Sequence, residues 1–218
     1  MSEEKKLSHS GVRVLILVVG LLIMAFGVGF SIKSSLGTSP ISSLPYVVSL
    51  FTPLTVGNAT IILHCVLIAL QVLLLRRRFH LMQLLQLPVA VMFGYMTDFA
   101  VWSLQDISAN TYAMRWIFCI IGIIMVAIGV SCEVLSKVVT LAGEGFVLAA
   151  CKVFPVKFGN MKVGFDVSLV ILSCILSLIF LGGIQGVREG TVAAAICVGL
   201  LSKQINKPFG RLEEKYLN

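Results

Sequence analysis

The chain has 218 residues, 58% of them hydrophobic and 12% charged, with a mean hydropathy of +1.00. Soluble domains average about 45–50% apolar and about 25% charged residues, so a soluble globular protein is excluded and an integral membrane protein is indicated. The net charge of +7 does not make nucleic acid an expected partner, because the basic residues sit where they orient a chain in a bilayer.

The charged opening MSEEKKLSHSGVR leads into an apolar run over about 12–32. No convincing cleavage site follows, so this reads as a retained first span and not a signal peptide. Next comes "LGTSPISSLP" at 36–45, then an apolar run, "ISSLPYVVSLF", too short to span but suited to a re-entrant or interfacial helix. Thr38 and Ser39 are candidate caps of that helix, and Pro40 suits its first turn because its missing N–H needs no partner there.

Further spans are expected at about 59–75, 84–104 and 114–135. The stretch "VVTLAGEGFVLAACKVFP" at 138–155 is a second short segment, and spans at about 163–181 and 191–202 complete six. With the N-terminus in the cytoplasm, fourteen of the 17 Lys and Arg fall inside, and Lys33, Arg115 and Arg188 fall outside. The inside set is Lys5, Lys6, Arg13, Arg76, Arg77, Arg78, Lys137, Lys152, Lys157, Lys162, Lys203, Lys207, Arg211 and Lys215. That bias places both termini in the cytoplasm.

A shift of 102 positions makes the chain match itself without a gap. Arg13 falls on Arg115, Gly20 on Gly122, Gly27 on Gly129, Ser34 on Ser136, Thr38 on Thr140, Pro53 on Pro155 and Asn58 on Asn160. Self-similarity in one register marks a duplicated unit. Each unit holds three spans, so the second enters the membrane from the opposite side. The expected fold is therefore all-α: one membrane domain over 1–218, its six spans forming two inverted three-helix repeats. These cover about 12–104 and 114–206, each with a short helix after its first span.

In such folds the substrate site lies near the midplane, where helix N-termini from the two repeats meet. The register pairs 36–53 with 138–155, so Thr38 and Ser39 are expected to face Glu144 across the pseudo-two-fold. Gly143 and Gly145 would permit close backbone approach, and Glu144 would sit in a first turn where the helix dipole favours an anion.

Other polar residues in apolar surroundings extend the list. His64 and Asp166 occupy equivalent positions and are read as a polar pair lining the path. Arg188 and Glu189 precede the last span, with Gln86 standing where Arg188 has its counterpart; Arg188 is expected near Glu144 or a substrate carboxylate. Asn58 and Asn160 read as helix caps, Asp98 and Glu133 as residues snorkelling near span ends, and "RRR" at 76–78 as a topology anchor. Gly20, Gly27, Gly122 and Gly129 read as close helix packing.

Six cysteines, at 65, 119, 132, 151, 174 and 197, lack CxxC spacing, and His9, His64 and His80 lack partners at metal-ligand spacing. No GxSxG, HExxH, phosphate-binding or dinucleotide-binding signature is present. No enzyme activity, metal or cofactor is expected.

The stretches "GLLIMAFGVGFSIKSSLGTSPISSLPYVVSL", "VGNATIILHCVLIALQVLLLRRRF", "LLQLPVAVMFGYMTD", "LAGEGFVLA", "KFGNMKVGFDVSLV" and "GVREGTVAAA" cover nearly the whole chain. In them it resembles the YczE/YyaS/YitT group of bacterial membrane proteins, in its YczE-like branch. That group's Pro-Gly-Glu-Gly cap reads Ala-Gly-Glu-Gly here, with Ala142 in the proline's place. The resemblance implies six spans in a bacterial inner membrane and no particular substrate.

Three functions follow. The first is a small secondary transporter or facilitator of a small polar or charged solute. The second is a substrate-binding subunit of an energy-coupled transporter, docking through Gly20, Ala25, Gly27 and Gly29 of the first span. The third is a non-transporting regulator or assembly factor. The expected partners are a small-molecule solute, the lipid bilayer and a second copy of the chain.

Overall fold

Eight α-helices and no strand form among the described residues. The computed structural model describes the backbone of residues 2–216 and the side chains of 11–206. Lys5, Lys6, His9, Lys207, Arg211 and Lys215 lie outside the described side chains. The helices are α1 (Ser2–Ser34), α2 (Pro40–Phe51), α3 (Val56–Leu75), α4 (Gln86–Ser103), α5 (Tyr112–Ser136), α6 (Ala142–Val153), α7 (Phe158–Leu181) and α8 (Glu189–Tyr216).

The 102-residue shift carries several boundaries onto one another. The ends of α1 and α5, both ends of α2 and α6, and the starts of α3 and α7 coincide under it. So does the backbone beyond the first long helix, where Ser35 (φ 54) and Lys137 (φ 51) both turn left-handed. The preceding serines repeat as well. Ser34 Oγ donates to Ser31 O at 2.6 Å and accepts from Leu36 N–H; Ser136 Oγ donates to Glu133 O at 2.7 Å and accepts from Val138 N–H.

Five helical stretches among the described residues are long and apolar enough to cross a membrane: Gly11–Ser34, Val56–Arg78, Leu81–Ser103, Tyr112–Ser136 and Phe158–Leu181. The sixth expected span falls in α8. There the apolar part is shorter and gives way to Lys203, Gln204 and Asn206. The sequence expectation of six spans is therefore met by five helices on length and composition.

α1 packs chiefly on α5, and glycine sets how close they come. A Cβ at Gly27 would lie 2.8 Å from the Val126 side chain and 2.9 Å from Gly122 O. One at Gly129 would lie 2.6 Å from the Met24 side chain and 2.7 Å from Gly20 O. Each contact recurs with its partners exchanged under the shift, and residue numbers run in opposite senses along the two helices. The short helices cross over in the same fashion: α2 lies on α7 and α6 lies on α3.

Hydrogen bonds tie the helix ends into two groups. At one end Lys33 Nζ donates to Gln105 O at 2.9 Å, Gly190 N–H donates to Leu36 O at 2.8 Å, and Asp98 of α4 meets the start of α3. At the other end Gln71 of α3 bonds Gln86 of α4, and Glu133 of α5 bonds the start of α6.

Candidate functional site

The N-terminus of α2 borders a cavity of about 240 Å³, lined by Ser31, Ile32, Ser35, Gly37, Thr38, Tyr46, Ile184, Gln185, Gly186 and Arg188. Gly37 has φ +96, and a side chain there would run into Thr191 and Arg188 N, so the loop before α2 lies against the loop before α8. Thr38 N–H donates to Gly186 O at 3.2 Å. Thr38 is fully buried and its Oγ1 has no partner. Arg188 bonds Glu189 twice (Nε to Oε2, 3.3 Å; Nη2 to Oε1, 3.4 Å) and donates to Ser35 O (Nη1, 3.4 Å). Chiefly a backbone N–H, with help from Arg188, holds the Glu189 carboxyl below its ordinary range.

These placements correct three expectations. Ser39 is the N-cap of α2, but its hydroxyl donates to Ser42 Oγ at 3.0 Å and caps no N–H; Thr38 caps nothing either. Pro40 does occupy the first turn. Arg188 pairs with its neighbour Glu189 and not with Glu144.

The N-terminus of α6 carries the acidic group. Glu144 lies in its first turn, within Coulombic reach of Lys162, Asp166 and Glu133. Glu133 is 2% exposed, and its Oε1 accepts the Leu141 N–H at 2.6 Å. It caps α6 from α5 and does not snorkel. Asp166 is bridged to Lys162 at 2.9 Å one turn earlier, so it is not paired with His64. His64 is 2% exposed, packs against Phe93, and leaves its Nδ1 without a partner.

Gln71, which sequence reasoning passed over, is fully buried. Its Nε2 donates to Gln86 Oε1 at 3.0 Å and to Ala142 O at 3.2 Å, while its Oε1 is unpaired. A Cβ at Gly145 would strike Gln86 and Gln71, so this glycine makes room for the two amides. Under the shift the counterparts of Gly145 and Gln71 are Ser43 and Ser173, which bond at 2.9 Å; Ser43 also donates to Pro40 O as Gln71 does to Ala142 O. A lone glutamine in "VLIALQVLLL" was the available signal.

What meets at the centre is apolar. A Cβ at Gly143 would strike Ile41 Cδ1, and 41 and 143 are equivalent positions. Ile41 joins the cluster of Leu44, Leu67, Ala142, Val147, Phe165 and Leu169. The N-termini of α2 and α6 therefore touch, but Thr38 and Ser39 do not face Glu144 as a single polar site; each end keeps its own partners. A separate apolar cavity of about 450 Å³ lies among α2, α3, α6 and α7, with equivalent pairs Leu44/Phe146, Leu63/Phe165, Leu67/Leu169 and Leu70/Leu172 in its wall.

The remaining caps also differ from expectation. Thr55 caps α3, accepting from Asn58 N–H at 3.1 Å, so Asn58 is capped and not the cap. Lys157 holds the N-cap position of α7, where Asn160 was expected to act. Asp98 accepts from Thr55 Oγ1 and from Gly57 N–H, both at 2.6 Å. No group of three metal-ligating side chains occurs among the described residues.

Apolar helices of spanning length around two buried polar ends define a multi-pass α-helical membrane protein. Residues 11–207 match the family of unknown function DUF6198, and the chain belongs to that family. It is also similar to an "Uncharacterized protein" of Haemophilus influenzae, 26% identical over 186 residues that cover 84% of this chain and 78% of the other. No solved structure matches.

Proposed function

We propose that the chain is a small secondary transporter or facilitator of a small polar or charged solute, built from two inverted three-span repeats. Its sixth span is the apolar half of α8, and both termini are cytoplasmic. The resemblance to YczE-like proteins supports a bacterial inner membrane. The observation that carries the reading is the exchange of packing partners: α2 on α7 and α6 on α3, with a polar group at each short-helix N-terminus. Two short helices related by a pseudo-two-fold, each with its own polar group at the N-terminus, would give a solute one polar station in each repeat, and rocking of one repeat on the other would expose them in turn.

The packing of the α1 small residues inside the chain favours this reading over the energy-coupled alternative, which would dock through them. Gly20 lies against Cys132 and Gly129, Gly27 against Val126, Gly29 against Leu104 and Ala100, and Ala25 is fully buried.

The test is osmotic swelling of proteoliposomes in isosmotic acetate, glycerol, urea and methylammonium. Swelling above that of protein-free liposomes is expected in at least one solute, and Arg188→Ala or Glu144→Gln should abolish it while the protein still inserts. Background rates across the whole panel, or rates untouched by both substitutions, would count against transport.

A further inference from the structure

We propose that the cavity at the N-terminus of α2 binds a small carboxylate, in the place that Glu133 fills in the other half of the chain. The proposal deepens the transport reading and rests on it for the purpose of the bound acid; occupancy of the cavity is testable without flux.

The second half supplies the template. There a carboxylate of the protein itself, Glu133, receives the N–H of Leu141 at the head of α6 at 2.6 Å. Subtracting 102 takes Glu133 to Ser31 and Leu141 to Ser39. Ser31 is too short to reach the head of α2, and it turns its hydroxyl back to Gly27 O at 3.0 Å. Ser31 lines the 240 Å³ cavity, together with Gly37 and Thr38 just before α2.

The groups around that space complement a missing acid. Thr38 lines it, fully buried, with an Oγ1 that has no partner. Arg188 stands where the other half has the neutral Gln86. Its two contacts to Glu189, at 3.3 and 3.4 Å, and its one to Ser35 O, at 3.4 Å, are longer than the roughly 2.7–2.9 Å of a good guanidinium–carboxylate contact, so a ligand carboxylate can compete with Glu189 for it. The N-terminus of the twelve-residue α2 adds its dipole.

No Asp or Glu lines the cavity, which argues against a cation. A planar guanidinium fork with one hydroxyl suits a planar carboxylate. The volume lies below the roughly 300 Å³ at which drug-sized pockets begin, so the acid is small.

The experiment is titration of the purified full chain in detergent with sodium acetate, sodium succinate, acetamide and methylammonium chloride at matched ionic strength. It is read by calorimetry and by thermal shift. A carboxylate should bind and raise the melting temperature, since a ligand of the native state stabilises by mass action; acetamide and methylammonium should do neither. Arg188→Gln, the residue of the other half, and Thr38→Val should each weaken binding about tenfold or more. Ser31→Glu should supply the acid from within and abolish carboxylate binding; should that variant not fold, the other two still decide.

A carboxylate response no larger than that to sodium chloride, or one undiminished in both Arg188→Gln and Thr38→Val, overturns the proposal. Carboxylate binding without flux of any solute removes the transport reading and leaves the site. Flux without carboxylate binding does the reverse.

Discussion

Asp98 and Glu133 show how much a single carboxylate can hold together in this chain. Each reaches across to another helix and takes up an N–H at its start: Gly57 for Asp98, Leu141 for Glu133. The Leu141 N–H is buried and has no water to turn to, so losing its acceptor costs about 1–3 kcal/mol. Glu133→Ala should lower stability by about that amount, and Glu133→Gln by less, because an amide oxygen still accepts. Thermal unfolding of the two variants in one detergent checks the order; equal stability of Ala and Gln variants would remove the capping role. Neither role was legible beforehand. The sequence placed both acids near span ends, where hydration is an adequate account, and the partner of Asp98 lies 41 residues away in the chain. Thr38 and Arg188 were picked out from composition, but what they face depends on a loop some 150 residues away.

Helix boundaries were far more legible than partners. An apolar run ends where Gly, Pro or charge interrupts it, so six spans and two short segments could be placed along the chain, of which five spans meet helices of spanning length and composition. The shift register then gave α2 and α6 as counterparts. What it could not give is which residue lies between their N-termini. The answer, Ile41 against Gly143, depends on packing, and it replaces an expected polar centre with an apolar one. The glycines of α1 and α5 were legible as packing positions, and the structure makes that quantitative. Gly27 and Gly129 face backbone and the side chains of Val126 and Met24 closer than real Cβ atoms sit, so Gly27→Ala and Gly129→Ala should each cost about 1–3 kcal/mol through overpacking. Gly164 of α7 has nothing within 4 Å of its would-be Cβ, and Gly164→Ala should be neutral or gain up to about 1 kcal/mol in helix propensity. Melting temperatures of the three variants decide it; a loss at Gly164 equal to those at Gly27 and Gly129 would mean that the α1–α5 crossing is not what these glycines serve.

At the scale of the whole molecule the proposed inverted repeat depends on parity. Three spans per unit would put the loop between α4 and α5 on the side opposite the loop between α3 and α4. The helix-end bonds fit that assignment: Lys33 and Gln105 meet at one end, Gln71 and Gln86 at the other. On the proposed topology the second end, which carries Arg76, Arg77 and Arg78, is the cytoplasmic one. Ser108 and His80 are exposed, one in each loop, and serve as reporters. In a chain whose six cysteines are replaced by alanine, Ser108→Cys should react with a membrane-impermeant maleimide in intact cells, and His80→Cys should react once the membrane is permeabilised. Labelling of both from the same side would break the parity, and with it the two-fold that makes Ser31 the counterpart of Glu133. Labelling from opposite sides, with Ser108 outside, would put the cavity at α2 in reach of solutes from the external medium, where a carboxylate would first meet Arg188.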